Sequence, residues 1–250
     1  MSNAICMCTT SETYSQNLID WKKNFIDENT YLIVDKTKNS NFNSNDFIYT
    51  ESDIRKNLNF NHDVSKKHYW NSYGNRNIIW FYAHFRMINF YLTHNDFDYY
   101  WFFDDDVYMD NWQKFIDTTN NYDYDFMSYF CFKKNNVKST ENIPYIDHNT
   151  TSGQLWFERF PGHNDILPKT NEYFGSFFPT VRYSNKAMRK LIEINSLGYF
   201  GYSEGFVPTV LNMYNFSLKS IINPDNSSDM FDINDINILH KNIRITWQWI

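Results

Sequence analysis

Tyr99-Tyr100-Trp101-Phe102-Phe103-Asp104-Asp105-Asp106 decides the reading of this 250-residue chain. Five consecutive large apolar side chains predict a strand buried on both faces, as in the middle of a parallel sheet. The three carboxylates that follow cannot continue into the core, because a buried charge without a partner is strongly disfavoured or changes its protonation state. They are expected where the strand leaves the sheet, and in open α/β folds ligands bind at that carboxyl edge. Clustered carboxylates repel one another unless a cation neutralises them, and hard divalent ions take oxygen ligands. The stretch points to a metal-assisted site for a phosphorylated ligand.

Outward from it, the pattern is that of an α/β fold. Ala4–Cys8 and Tyr31–Val34 read as short buried strands, and Leu18, Trp21 and Phe25 recur at helical spacing over Tyr14–Phe25 between them. Strand, helix, strand is the opening of a parallel sheet. Residues 36–74, rich in Asn, Asp, Ser and Lys, read as loop with a short helix or two. Arg76–Leu92 is apolar nearly all round, with Asn77, His84, Arg86 and Asn89 as exceptions, and predicts a buried helix leading into the aromatic strand. Beyond the carboxylates, Asn111–Thr118 reads as a helix, Tyr124–Phe132 and Phe174–Arg182 as strands, and 133–172 as a long polar segment. Ser184 is placed to cap a helix carrying Ala187, Met188, Leu191 and Ile192. A glycine-rich corner, Gly198–Tyr202, then precedes a helix from Ser203-Glu204 to Tyr214. Ser217–Ile222 is a further strand, and Ile238–Lys241 closes the pattern. No internal repeat or linker divides the chain, so one domain is expected over 1–250.

Bulk properties exclude some partners. The net charge of −6 provides no electrostatic footprint for nucleic acid. No apolar run approaches the ~18 residues of a membrane span. Met1–Cys8 lacks the basic segment and long apolar stretch of a secretory signal, and Cys6, Cys8 and Cys131 have no metal-ligand spacing. The expected location is cytoplasmic, with reduced thiols. Aromatic residues make up 20% of the chain, which suggests sugar-stacking surfaces but also follows from the codon usage of a low-GC genome that is rich in Asn as well.

Two motifs in order carry a family resemblance. Phe103-Asp104-Asp105-Asp106-Val107 resembles the Asp-Asp-Asp-Val segment of β1,3-galactosyltransferase and Fringe-like enzymes. Ser203-Glu204-Gly205-Phe206-Val207-Pro208-Thr209 resembles the acidic-aromatic-Pro-Thr helix start of the core-2 branching enzymes. With a histidine near the end, His240, the order is similar to that of GT-A glycosyltransferases using nucleotide-sugar donors. The resemblance implies a single-domain GT-A (Rossmann-like) fold, a mixed, mostly parallel sheet flanked by helices. Its nucleotide-sugar-binding half would be 1–132 and its acceptor-binding and catalytic half 133–250. It also implies a UDP-sugar or similar donor, a hydroxyl of a glycan or other acceptor, and Mn²⁺ or Mg²⁺.

By that resemblance Asp106, Asp104 and His240 are metal ligands, with Asp104 also facing the donor ribose and Asp105 the sugar hydroxyls. Thr9, Thr10 and Asp35 contact base and ribose, and Arg76, with Lys241 or Arg244, approaches the diphosphate. Glu204 is the general base of an inverting transfer, because a carboxylate near the anomeric carbon takes the acceptor proton. Trp156, Phe157 and Phe160 are expected at the acceptor site, since long irregular segments carry specificity and aromatic faces stack on sugar rings. Plainer alternatives stand beside these: the triad as an acidic turn capping the next helix, Ser203-Glu204 as a helix cap, His240 as a structural histidine, and Thr9, Thr10, Asp35 and Arg76 as turn or cap residues. The core-2 enzymes lack the Asp-x-Asp motif and work without metal, so a stronger likeness to them weakens the metal assignment. Two rival readings stay open. Asp104-x-Asp106 also resembles a haloacid-dehalogenase-like phosphatase, although Tyr108 stands where that family wants Thr or Val. A non-catalytic sugar-binding module would leave the triad without a role.

Overall fold

The aromatic stretch is the fourth strand of a central sheet, and its side chains alternate between two cores. The computed structural model describes residues 1–25, 29–59, 83–129, 131–133, 172, 174–201, 203–221 and 238–240. In chain order the elements are β1 (Asn3–Thr10), α1 (Gln16–Trp21), β2 (Asn29–Asp35), β3 (Phe47–Tyr49), α2 (Glu51–Asn57) and α3 (Ala83–Tyr91). There follow β4 (Tyr99–Asp104), β5 (Val107–Met109), α4 (Trp112–Thr119), β6 (Phe126–Ser128) and β7 (Cys131–Lys133). The remaining elements are β8 (Phe174–Ser176), β9 (Thr180–Ser184), α5 (Asn185–Ser196), α6 (Ser203–Met213), β10 (Leu218–Ser220) and β11 (Ile238–His240).

Seven of these strands form one sheet in the order β10-β6-β9-β4-β1-β2-β3. Neighbouring pairs run parallel except where β9 sits antiparallel between β4 and β6. The protein is thus α/β, with a mixed, mostly parallel sheet flanked by helices. Tyr100 and Phe102 join one cluster with residues of α2, α3, α5 and α6, whereas Trp101 and Phe103 join the other with α1 and α4. Burial on both faces is what the unbroken aromatic run demands, and truncating such a residue to Ala typically costs about 3–5 kcal/mol.

Local chemistry sets the helix ends. Thr50 and Asp53 form a reciprocal capping box on α2, Asn111 caps α4 through the Lys114 N–H, and Ser184 caps α5 through the Ala187 N–H, as expected. Gly198, at φ +88°, ends α5 with the Tyr199 N–H on the Ile194 carbonyl at 3.2 Å. The corner's second glycine serves packing, because a Cβ on Gly201 would lie 3.0 Å from the Phe206 ring. Its close approach is to a side chain of the protein itself.

Four expectations change. Residues 36–74 include an edge strand, β3, too short for an alternating pattern to stand out. Tyr124–Phe132 is two strands, β6 in the main sheet and β7 pairing with β8 outside it. Phe174–Arg182 also divides, because the chain turns at Phe177–Pro179 between β8 and β9. The carboxylate triad leads into β5, which pairs antiparallel with β11, while Asn111 caps the next helix, so the acidic-cap alternative for the triad falls. Among the described residues no helix is long and apolar enough to cross a membrane.

Candidate active site

Parallel pairing brings the ends of β1, β2 and β4 to one edge. In register Cys8 faces Asp104 and Thr10 faces Asp35, so Thr9, Thr10, Asp35 and the triad, widely spaced in sequence, share the carboxyl edge. The triad itself spans the last residue of β4 and a two-residue turn, and its side chains take different partners. Asp105 Oδ2 accepts from the hydroxyls of Thr9 and Thr13 at 2.6 and 2.7 Å. The turn after β1 thus holds Asp105, and Thr9 is engaged with a carboxylate in addition to any nucleotide role. Asp35 is buried, and its Oδ1 accepts from the Thr37 N–H and hydroxyl at 2.8 and 2.6 Å. Burial pushes its pKa up against those bonds.

Asp104 makes an ion pair with Arg86, a residue of α3 whose side chain is 11% exposed against 33% for the aspartate. Burial opposes the guanidinium charge, yet Cys8, Asp104 and Tyr49 hold its pKa above the ordinary value. The cation under this edge therefore comes from the interior of a buried helix. Two residues earlier on α3, His84 faces another way. Its N–H donates to Ser203 Oγ at 3.2 Å, and its Nδ1 lies 2.8 Å from the same oxygen. The serine hydroxyl thus bridges the backbone and the ring of a neutral His84. Burial lowers its pKa to about 3, in keeping with that state. The ring also stacks on Phe206 at 5.5 Å.

Ser203 opens α6 and Glu204 follows in its first turn, as expected. Glu204 is 9% exposed. Its Oε1 accepts from the Phe178 N–H at 3.2 Å, in the turn before β9. One residue on, the Pro179 carbonyl accepts from the Asp104 N–H at 2.9 Å. Successive residues of one turn thus touch the two acidic motifs, which lie 100 positions apart in sequence. Arg86 and His84 join the same motifs from α3.

The strand pairing also places His240, which stands in register opposite Val107, the residue after Asp106. The His240 side chain lies outside the described residues, as do Arg76, Lys241, Arg244 and the acceptor candidates Trp156, Phe157 and Phe160. Among the described residues no three His, Cys, Asp or Glu side chains converge on one point. Asp104 is turned to Arg86 and Asp105 to two threonines.

Sequence reasoning missed Arg86, His84 and Thr13 as parts of this site. The first two had a signal, as polar interruptions of an otherwise apolar helix; Thr13 had none. No protein-family model matches the chain, and no curated protein matches it.

Proposed function

We propose that the protein is a metal-dependent GT-A glycosyltransferase that moves a sugar from a nucleotide-diphosphate donor, with a UDP-sugar favoured, to a hydroxyl of a glycan or other acceptor in a cytoplasm. The observation that carries this reading is that Asp104, which opens the carboxylate triad, and Glu204 bond to successive residues of one turn, Pro179 and Phe178. The 1–132 half would then bind the donor and the 133–250 half the acceptor. A bound Mn²⁺ or Mg²⁺ would supply charge stabilisation for the departing diphosphate. Asp106 and His240 would hold it.

The remaining roles belong to the chain. Thr9 and Thr13 fix Asp105 so that its carboxylate can meet sugar hydroxyls. Glu204, oriented by the Phe178 N–H, takes the proton of the acceptor hydroxyl. The acceptor oxygen bonds to the anomeric carbon, and the bond to the diphosphate oxygen breaks with its electron pair on the leaving group. A haloacid-dehalogenase-like phosphatase would use Asp104 as its nucleophile, and the ion pair with Arg86 counts against that use.

A hydrolysis assay with and without Mn²⁺ tests the proposal. Sugar release from a UDP-sugar, dependent on Mn²⁺, is the expected result. Phosphate release from a monoester would favour the phosphatase, and neither activity would favour a binding module.

A further inference from the structure

The interior of α6 carries Pro208, which has no N–H, so the carbonyl four residues back loses its helical donor. That carbonyl belongs to Glu204, and Ser176 Oγ donates to it at 3.1 Å. One residue after the proline, Thr209 Oγ1 accepts from the Phe174 N–H at 2.9 Å and donates to the Phe174 carbonyl at 3.1 Å. Three side-chain bonds fasten β8 along α6, and both Ser176 and Thr209 are fully buried. Two residues beyond Ser176, the Phe178 N–H reaches the Glu204 carboxylate. Glu204 is therefore gripped twice by one short segment, at its carbonyl and at its side chain.

We infer that Pro208, Ser176 and Thr209 are positioning residues for Glu204. The proline leaves the Glu204 carbonyl to Ser176, Thr209 sets the register of β8 on the helix, and together they bring the Phe178 N–H onto the carboxylate. An alanine at 208 would suit an isolated helix better, since interior proline is the least favourable helix residue. The spacing Glu204-x-x-x-Pro208-Thr209 thus has a geometric reason: the carbonyl released by a proline is always that of the residue four before it. This inference rests on Glu204 being the general base.

The test reads amide exchange at Phe178 by NMR together with kcat for sugar transfer from a UDP-sugar, in Pro208→Ala, Ser176→Ala and Thr209→Val. Phe178 protection should fall at least tenfold in each variant. In Pro208→Ala the melting temperature should equal or exceed that of the parent while kcat falls at least tenfold, a split that a merely structural proline would not produce. Adding Ser176→Ala to Pro208→Ala should change little further, because the helical N–H restored at position 208 competes with the serine for the same carbonyl. Unchanged Phe178 protection in Pro208→Ala and Ser176→Ala overturns the inference, whatever happens to kcat. Protection that falls while kcat holds upholds the clamp and removes Glu204 from the chemistry. Glu204→Gln, which keeps an acceptor at Oε1, should leave Phe178 protected.

Discussion

The two acidic motifs at the carboxyl edge are held by different means. Asp104 and Asp105 are gripped by side chains, those of Arg86, Thr9 and Thr13, whereas Glu204 is gripped at Oε1 by a backbone N–H. The Asp104 side chain is a third exposed, whereas Glu204 is almost wholly buried. Side-chain partners can rotate away when a ligand brings its own charges and hydroxyls; a backbone donor in a turn between two strands cannot. The first arrangement suits groups that bind and release a charged ligand. The second suits a base whose position must not change during turnover, in line with the value of preorganised polar groups in catalysis.

Breaking the rigid side should have the largest effect. Glu204→Gln keeps the shape and the Phe178 contact but cannot accept the acceptor proton, so kcat for transfer should drop by ~10²-fold or more. Donor affinity and melting temperature should stay near those of the parent; steady-state kinetics beside thermal melts check this. A stable variant with parental turnover would remove Glu204 from the mechanism.

His84 tests how the rigid side is attached to α3. The unfolded chain gains a proton on this residue near pH 6.5, whereas folded His84 stays neutral until about pH 3. Stability should therefore fall as pH drops through that window, by about 1.4 kcal/mol per unit for this one proton. Denaturant titrations from pH 7 to 4.5 should show a shallower decline in His84→Gln. Identical slopes in the two proteins would show that His84 is not held neutral in the fold.

On the more adaptable side, Arg86→Met leaves Asp104 without its cation. Breaking one partner of a buried pair costs about 3–5 kcal/mol, and the partial exposure of Asp104 reduces this to about 2 kcal/mol. Asp104→Asn in the same background should recover part of that loss. Strictly additive effects in the double-mutant cycle would mean that the pair contributes nothing specific.

The smallest effect on the fold is expected at Asp106. Asp106→Asn should abolish Mn²⁺-dependent binding of UDP, because it removes a ligand and not a packing group, and leave the melting temperature unchanged. Calorimetric titration with and without Mn²⁺ reads this directly, and unchanged metal-dependent affinity would sink the assignment.

Legibility in the sequence followed the range of the interaction. The aromatic run, the Ser184 cap and the Ser203-Glu204 helix start were readable because each is a property of neighbouring residues. β3 and β5 were not, because three-residue strands owe their existence to partners elsewhere in the chain. The breaks at Phe177–Pro179 and between Ser128 and Cys131 were hidden for a similar reason: the residues stay apolar while the chain changes sheets. The long-range antiparallel pairing of β5 with β11 also shows why the carboxylates could be mistaken for a helix cap. Three acidic residues close to a helix suit either reading until the strand between them is seen.

By itself the sequence determined that β4 is buried on both faces and that its carboxylates must leave the core, because hydrophobic periodicity and the cost of burying charge act locally. It likewise placed Glu204 in the first turn of a helix. Only the tertiary structure decided that Arg86 neutralises Asp104, that Ser203 bonds His84 119 positions away, and that Phe178 holds Glu204. Those partners are chosen by sheet order, in which the antiparallel strand β9 follows β4 across 75 intervening residues and carries its preceding turn to the carboxyl edge. No local pattern records such a pairing, because its free energy belongs to two segments that meet only when the sheet has formed.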